Sequence, residues 1–185
     1  MNEKMKNRLE VQKIIRDNIL GGLETFGNSG WDVKEFANAH MTKADKVVLL
    51  NYIRSVRVGW QGKRYTVEDD SLRKSEEWIS EQHWQIHCIA KRPSSPNATT
   101  VLSEDIADIL VAWFSTSESV DMFRRNGVAP LKVRGNDVIV YNDNSDIYQK
   151  RAVFTLKLQI PKKIDMAQPN VSYMDEYSFS GIYGV

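Results

Sequence analysis

Apolar residues near the start of the chain recur at steps of three and four, the spacing that puts side chains on one side of an α-helix. These residues are Val11, Ile14, Ile15, Ile19 and Leu23. The pattern predicts an amphipathic helix over residues 3–24. Residues 27–30 have the composition of a turn, and residues 31–41 lack a clear period, so a loop with at most a short helical turn is expected there.

Helical spacing returns in the middle of the chain. Over residues 102–113 the apolar positions step by four, three, one and three, and Ser103 or Thr100 is the predicted N-cap. A shorter helix is predicted over residues 118–126, with Gly127 just past its end as a C-cap. The two helices therefore follow each other directly.

Two stretches between these helical regions are rich in β-branched and aromatic residues, which favours strands. The first covers residues 46–60 and leads into a predicted turn bracketed by Gly59 and Gly62. Residues 63–75 are polar and are predicted to form an exposed loop. The second strand is predicted over residues 74–91.

Polarity alternates along residues 74–91. One parity is apolar: Trp78, Trp84, Ile86, Cys88 and Ala90. The other parity is polar: Glu81, His83, Gln85 and His87. The alternation predicts one buried face and one face exposed to water. Trp84→Ala should then cost about 3 to 5 kcal/mol and His87→Ala less than about 0.5 kcal/mol.

The rest of the chain predicts more strands, short ones at 131–134 and 137–141 and a long one at 148–160 that ends before Pro161. Strands that are adjacent in sequence, with helices grouped between them, favour an α+β fold over a doubly wound parallel sheet. We expect an antiparallel or mixed β-sheet with the helices packed on one face.

Residues 1–161 are predicted to form one domain and residues 162–185 a C-terminal extension. The extension has no period, but it carries aromatic side chains of the kind enriched at protein interfaces. They include Tyr173, Tyr177, Phe179 and Tyr183. We therefore expect the extension to form an interface with a neighbouring subunit or with a joining partner.

Composition narrows the function classes. The 185 residues carry 25 Lys and Arg against 24 Asp and Glu, a net charge of +1 that argues against a protein that coats nucleic acid. The hydrophobic fraction of 42% is that of an ordinary globular domain. The first thirteen residues are charged and have no apolar core of the kind a signal peptide needs, and no apolar run approaches the length of a membrane helix, so a soluble protein with no membrane contact is expected.

The sequence carries few residue patterns that indicate catalysis or metal binding. His83 and His87 would be about 13 Å apart on a strand, too far to share a metal ion, and residues 142–146 lack the glycine and glutamate of a calcium loop. Cys88 lies on the apolar parity, where a buried, inert thiol is expected. Phosphate-binding and nucleophile motifs are missing. We expect no catalytic site, no metal and no cofactor, although side chains converging from distant segments remain an alternative.

Between residues 52 and 74 a basic stretch has aromatic residues interleaved in it, a composition that could contact phosphates and stack on bases. Carboxylates at 68–70 and 76–77 lie close by in the sequence. A solvated or protein-contacting face is therefore favoured, and a nucleic-acid-binding module is the alternative, which requires a face that is continuously basic after folding.

Five segments together resemble a known family. They are VRVGWQGKR, WQIHCIAKR, SEDIADILVAWF, the NGV that follows the short helix, and KVRGNDVIVYNDNSDIYQKRAVFTLKLQI. Their order over residues 46–160 resembles that of neck or tail-terminator proteins of tailed bacteriophages. This resemblance implies a structural virion protein and not an enzyme.

The resemblance also implies partners. It predicts a homo-oligomeric ring, a hexamer, that caps the tail tube protein and joins the tail to the head-side connector. Such a ring is assembled in the host cytoplasm and makes at most a passing contact with DNA in its lumen. Another head-completion or tail-completion protein of the virion is the alternative. The candidate interface residues are Arg57, Trp60, Lys63, Arg64, Arg73, Tyr173, Tyr177, Phe179 and Tyr183.

Overall fold

The helices and strands form one sheet with helices on one side. The computed structural model describes residues 6–36, 46–68, 71–90, 102–133, 135, 137–142 and 148–167. Side chains are described for these residues except 60, 67–68, 71–72, 137–142, 148–150 and 167. The predicted polar turn at 142–146 lies almost wholly outside them.

Three helices are present, α1 (Arg8–Thr25), α2 (Ser103–Trp113) and α3 (Ser117–Arg125). The first begins later than predicted because Asn7 caps it. The Glu10 amide donates to Asn7 Oδ1 at 2.9 Å, and the Asn7 amide donates to Glu10 Oε2 at 2.7 Å. This reciprocal pair satisfies two amides that a helix start leaves without partners.

The predicted N-cap of α2 is wrong, because the cap is Leu102. Ser103 Oγ instead accepts a hydrogen bond at 2.9 Å from the amide of Ala90, at the end of a strand. Asp105 Oδ2 accepts from the Leu102 amide at 2.8 Å and takes over the capping role. The other predicted cap, Thr100, lies outside the described residues.

Gly127 ends α3 as predicted. Its φ of 62° lies in the left-handed region, which glycine adopts without a steric penalty. The Gly127 and Val128 amides donate to the carbonyls of Arg124 and Phe123 at 2.8 and 3.1 Å, so the last turn has partners for its free carbonyls.

The described strands are β1 (Asp32–Glu35), β2 (Lys46–Glu68), β3 (Ser71–Ala90), β4 (Ala129–Pro130), β5 (Asp137–Asn142) and β6 (Tyr148–Ala167). Their order in the sheet is β1-β2-β3-β6-β4, and β5 also pairs with β6. β1 runs parallel to β2, whereas the other pairs are antiparallel. The predicted α+β class with a mixed sheet is confirmed.

All three helices cover one face of the sheet, which we call the helix face. The main core there joins Ile15 and Ile19 of α1 and Leu110 of α2 to Trp84 and Leu156 of the sheet. Cys88 belongs to the same core and is fully buried, as predicted, and burial raises the pKa of its thiol. The helix-face parity of β3 is thus confirmed for Trp84, Ile86 and Cys88.

Two local predictions are wrong. Residues 31–41 were expected to be a loop, but β1 adds a parallel strand to β2 with Val33 buried. The strand expected at 131–134 is displaced to β4, where Ala129 and Pro130 pair with β6. Residues 131–133 follow it without strand structure.

We call the opposite face of the sheet the far face. It is not exposed to water around His83 and His87. His83 and His87 are only 7% and 2% exposed, so the prediction of an exposed histidine face is wrong. The ring of Phe36, just after β1, packs on His87 with 4.9 Å between ring centroids. Val47, Leu49 and Ile89 form a small second core beside it. The prediction that His87→Ala leaves stability almost unchanged assumed an exposed side chain, and that assumption is wrong.

The longest difference from the predicted elements concerns residues 59–75. The described part of this stretch is strand, because β2 continues to Glu68 and β3 starts at Ser71. Gly59, with φ 77°, begins a bulge in which β2 takes four steps from Val58 to Gly62 while β3 takes two. The polar composition belongs to strands that are exposed on both faces.

β6 also passes its expected end. It crosses Pro161 and pairs with β3 as far as Ala167, opposite Arg73. We call residues 58–68, 71–79 and 161–167 the arm. The main core ends at the row of Ile160, so the arm extends roughly 30 Å past it, at about 3.3 Å per residue.

Candidate functional site

The arm and its base contain every described member of the predicted interface set. Arg57 lies at the base, and Lys63, Arg64 and Arg73 lie in the arm. Trp60 lies on β2 in the bulge, and the structure describes only its backbone. Tyr173, Tyr177, Phe179 and Tyr183 lie outside the described residues, so their role stays a prediction.

The basic residues do not share one surface. Residues directly opposite each other on paired antiparallel strands point to the same face. By this register Lys63, opposite Glu76, lies on the helix face, whereas Arg64, opposite Ser75, lies on the far face. Arg54 also lies on the far face, because it is directly opposite His83. Arg73 lies there too, because it is on β3 an even number of residues from His83. The continuously basic face that a nucleic-acid-binding module requires is therefore not formed by the described residues.

Arg57 is held in place at the base of the arm. Its guanidinium lies over the ring of Trp78, 4.6 Å from the ring centroid, and its Nη1 donates to Gln61 Oε1 at 3.1 Å. Gln61 in turn donates from Nε2 to Glu76 Oε2. A cation stacked on an indole is stabilised by the ring quadrupole, and the stacking covers one side of both groups. Trp78 is accordingly only half-buried, although the sequence predicts it in the buried set.

Carboxylates accompany two of the lysines of the arm. Lys74 Nζ lies 2.6 Å from Glu76 Oε1, and Lys163 Nζ lies 3.3 Å from Asp165 Oδ1. The hydrogen bond to Lys74 lowers the pKa of Glu76, and the same bond raises the pKa of Lys74, so both stay charged near neutral pH. The surface of the arm is therefore a mixture of paired charges.

Exposed apolar side chains are the feature of the arm that the sequence analysis missed. Ile79 and Tyr65 are 41% and 58% exposed, and Ile164 is 39% exposed. Each lies in a polar stretch where apolar positions recur with neither a helical nor a strand period. Tyr65 in addition falls within residues 63–75, which the sequence predicts to be a loop. The available signal was the alternation of Tyr65 with Arg64 and Thr66, which continues the strand pattern past Gly62.

A groove of about 510 Å³ lies between α1 and α3. It is lined by Lys6, Glu10, Lys13, Ile14, Asp17, Met122 and Asn126. Its charged lining residues are two lysines and two carboxylates, and its apolar ones are Ile14 and Met122. The groove thus has no preference for a ligand of one charge.

Candidate ligating and nucleophilic groups are engaged or buried. His83 Nε2 lies 2.7 Å from Glu81 Oε1, and His87 Nε2 lies 3.1 Å from Gln85 Oε1. Within the described part of the chain, no three His, Cys, Asp or Glu side chains are grouped as metal ligands would be. None of the helices described is both long and apolar enough to cross a membrane.

Comparison with known protein families gives a match over most of the chain. The family model described as E217 gateway protein gp29 matches residues 10–169 of the chain. The matched segment contains α2, α3 and all six described strands, including the arm. The comparison with curated proteins finds no match.

Proposed function

The chain belongs to the family of the E217 gateway protein gp29, phage proteins of the neck region, and we propose that it is a structural subunit of the junction between head and tail in a tailed phage. In this role it forms a ring, a hexamer, that caps the tail tube and presents the opposite surface to the head-side connector. The ring is built in the host cytoplasm and remains in the virion.

The observation that carries this proposal is the extent of the family match. It covers 160 of the 185 residues, since 169 − 10 + 1 = 160, and it includes the core and the arm together. A match of that extent cannot rest on one shared motif. It supports a role shared by the whole domain.

The surface of the molecule supports a role in assembly and not in catalysis. Its most distinctive feature is the arm, which extends three strands beyond the core and exposes apolar side chains at its sides. Such side chains lose contact with water when a neighbour packs on them, which favours association. We propose that the arm, together with the C-terminal extension, makes the contacts within the neck.

The direct test is genetic and structural. A phage that lacks the chain should produce filled heads and separate tails, and a copy supplied by the host should restore joined particles. Cryo-electron microscopy of the restored virions should then show a ring of this chain between connector and tail tube. Joined, infectious particles without the chain would overturn the proposal.

The same reconstruction separates the finer alternatives. Density for the ring directly on the last layer of the tail tube supports a tail terminator. Density that contacts only the connector supports a head-completion subunit instead. A count other than six subunits would correct the proposed ring size and leave the assembly role intact.

A further inference from the structure

The arm carries apolar patches on both of its faces. On the far face, Val58, Ile79 and Pro161 lie directly opposite one another on three adjacent strands. Val56, 39% exposed, lies one row nearer the core on the same face, and these four residues form what we call the far patch. A row of three apolar residues across three strands is a continuous surface.

The second patch lies on the helix face, closer to the tip. Tyr65 is on the row of Lys74 and Met166, and Ile164 is on the next row, opposite Glu76. We call Tyr65, Ile164 and Met166 the tip patch. The main core, which contains the buried apolar residues of the helices, ends at the row of Ile160. Among the described residues, the helices therefore leave this part of the face uncovered.

The edges of the arm are poorly suited to pairing with another strand. On β6, Pro161 cannot donate a backbone hydrogen bond, and Lys162 and Lys163 follow it. On β2, register shifts at Ile53 and at residues 59–61 interrupt the edge. Proline, lysine and bulges are the devices that prevent edge-to-edge pairing. The contacts of the arm are therefore expected at its faces.

We propose that the arms of neighbouring copies of this chain pack face to face, with the far patch of one copy against the tip patch of the next. The inference rests on the proposed ring. A two-fold dimer uses the same patch on both subunits, whereas a ring needs two different patches on every subunit. The arm supplies two different patches on opposite faces of the same three strands, which is what a second copy on each side requires.

Nucleic acid fits the arm less well than a second copy. The lysines at positions 74 and 163 are paired with Glu76 and Asp165, and the arginines are divided between the two faces. Apolar side chains such as Ile79 offer nothing to phosphates. A surface of paired charges around apolar centres is typical of protein interfaces.

Cysteine cross-linking in virions tests the contact. The natural Cys88 is fully buried, so Ile79→Cys and Ile164→Cys introduce the only accessible thiols among the described residues. The two positions lie on opposite faces of the sheet, so a short bismaleimide cannot join them within one chain. Virions with the double variant should yield a ladder of covalent multimers that ends at the number of subunits in the ring.

The single variants are the matched controls. Each should give no covalent dimer, because each contact then contains only one thiol. Dimers from either single variant would show a symmetric contact and overturn the proposal. Absence of a ladder from the double variant, or cross-links from the arm to DNA in parallel experiments with a thiol-to-nucleic-acid reagent, would also overturn it.

Antibody labelling of the same virions keeps the two proposals apart. If the chain is absent from the neck, the proposed function fails. If the chain is present and no ladder forms, only the face-to-face contact fails.

Ile79→Arg and Ile164→Arg provide a second measurement: each should lower the yield of joined particles at least tenfold while the purified variant melts like the wild type.

Discussion

The indole Nε1 of Trp113 donates to both oxygens of Asn18, at 3.0 Å to the backbone carbonyl and 2.7 Å to Oδ1. Ser119 Oγ donates to the same Oδ1 at 2.9 Å, and Asn18 Nδ2 donates to the Ser119 carbonyl at 3.1 Å. The three residues are buried and belong to α1, α2 and α3. A single asparagine thus holds the three helices in one arrangement over the sheet.

Replacing Asn18 should destabilise the domain. Asn18→Leu leaves the Ser119 hydroxyl and one bond of the Trp113 indole unsatisfied in the core, and each lost partner of a buried donor costs about 1 to 3 kcal/mol. We expect the free energy of unfolding to fall by about 2 to 4 kcal/mol in urea titrations. The exposed neighbour Arg16→Ala is the control and should change it by less than about 0.5 kcal/mol. Equal midpoints for the two variants would contradict the role of Asn18.

Two adjacent glycines of α1 should respond in opposite ways to alanine. A Cβ on Gly22 would lie 2.5 Å from Cδ1 of Trp113, whose ring is held by Asn18, so Gly22→Ala should cost about 1 to 3 kcal/mol through overpacking. A Cβ on Gly21 would meet only Met122 Cε at 3.7 Å. Gly21→Ala should therefore stabilise the helix by up to about 1 kcal/mol. Thermal melts of the two variants measure the difference, and a stabilising Gly22→Ala would refute the packing.

His87 should make stability depend on pH. Burial, with a further contribution from the charge of Arg151, lowers the pKa of His87 to about 4 from its ordinary 6.5. Between pH 4 and 6.5 the unfolded chain binds a proton at this histidine more readily than the folded protein does. Titration of His87 therefore leaves the free energy of unfolding unchanged above pH 6.5 and lowers it as the pH falls towards 4. The loss is on the order of 3 kcal/mol.

The measurement compares urea titrations of wild type and His87→Gln at several pH values between 4 and 7. The variant cannot take up the proton, so its stability should fall less steeply than that of the wild type over this interval. Identical slopes would mean that His87 titrates in the folded protein as it does in the unfolded chain.

The stacked pair at the base of the arm should contribute measurably to stability. Arg57→Ala removes the cation from the Trp78 ring and exposes the indole, and we expect a loss of about 1 kcal/mol. Arg64→Ala, on the opposite face, is the control and should stay within about 0.5 kcal/mol. Urea titrations followed by tryptophan fluorescence measure the stability of both variants, and equal losses would argue against the stacking.

Local pattern was sufficient for the helices and for one face of the sheet. The positions of Ile15, Ile19, Leu110 and Trp84 in the main core follow from spacing alone, because an amphipathic helix or strand must bury its apolar side whatever it packs against. The order of these elements also indicated the α+β class, and the resemblance of five segments to phage proteins implied a protein of the neck. The family match agrees with the latter at the level of the neck region.

Tertiary contacts decided what pattern could not. His87 is buried because Phe36 and its neighbours cover it, and His83 is buried beside the side chains of Arg54 and Glu81. The alternation of polarity along β3 gives no sign of either cover. The polar residues after Gly59 form a strand because they pair with β3, which pairs in turn with the distant β6, and backbone hydrogen bonds can hold strands whose side chains stay in water. The arm and its two apolar patches exist through that long-range pairing, which the sequence of no single segment specifies.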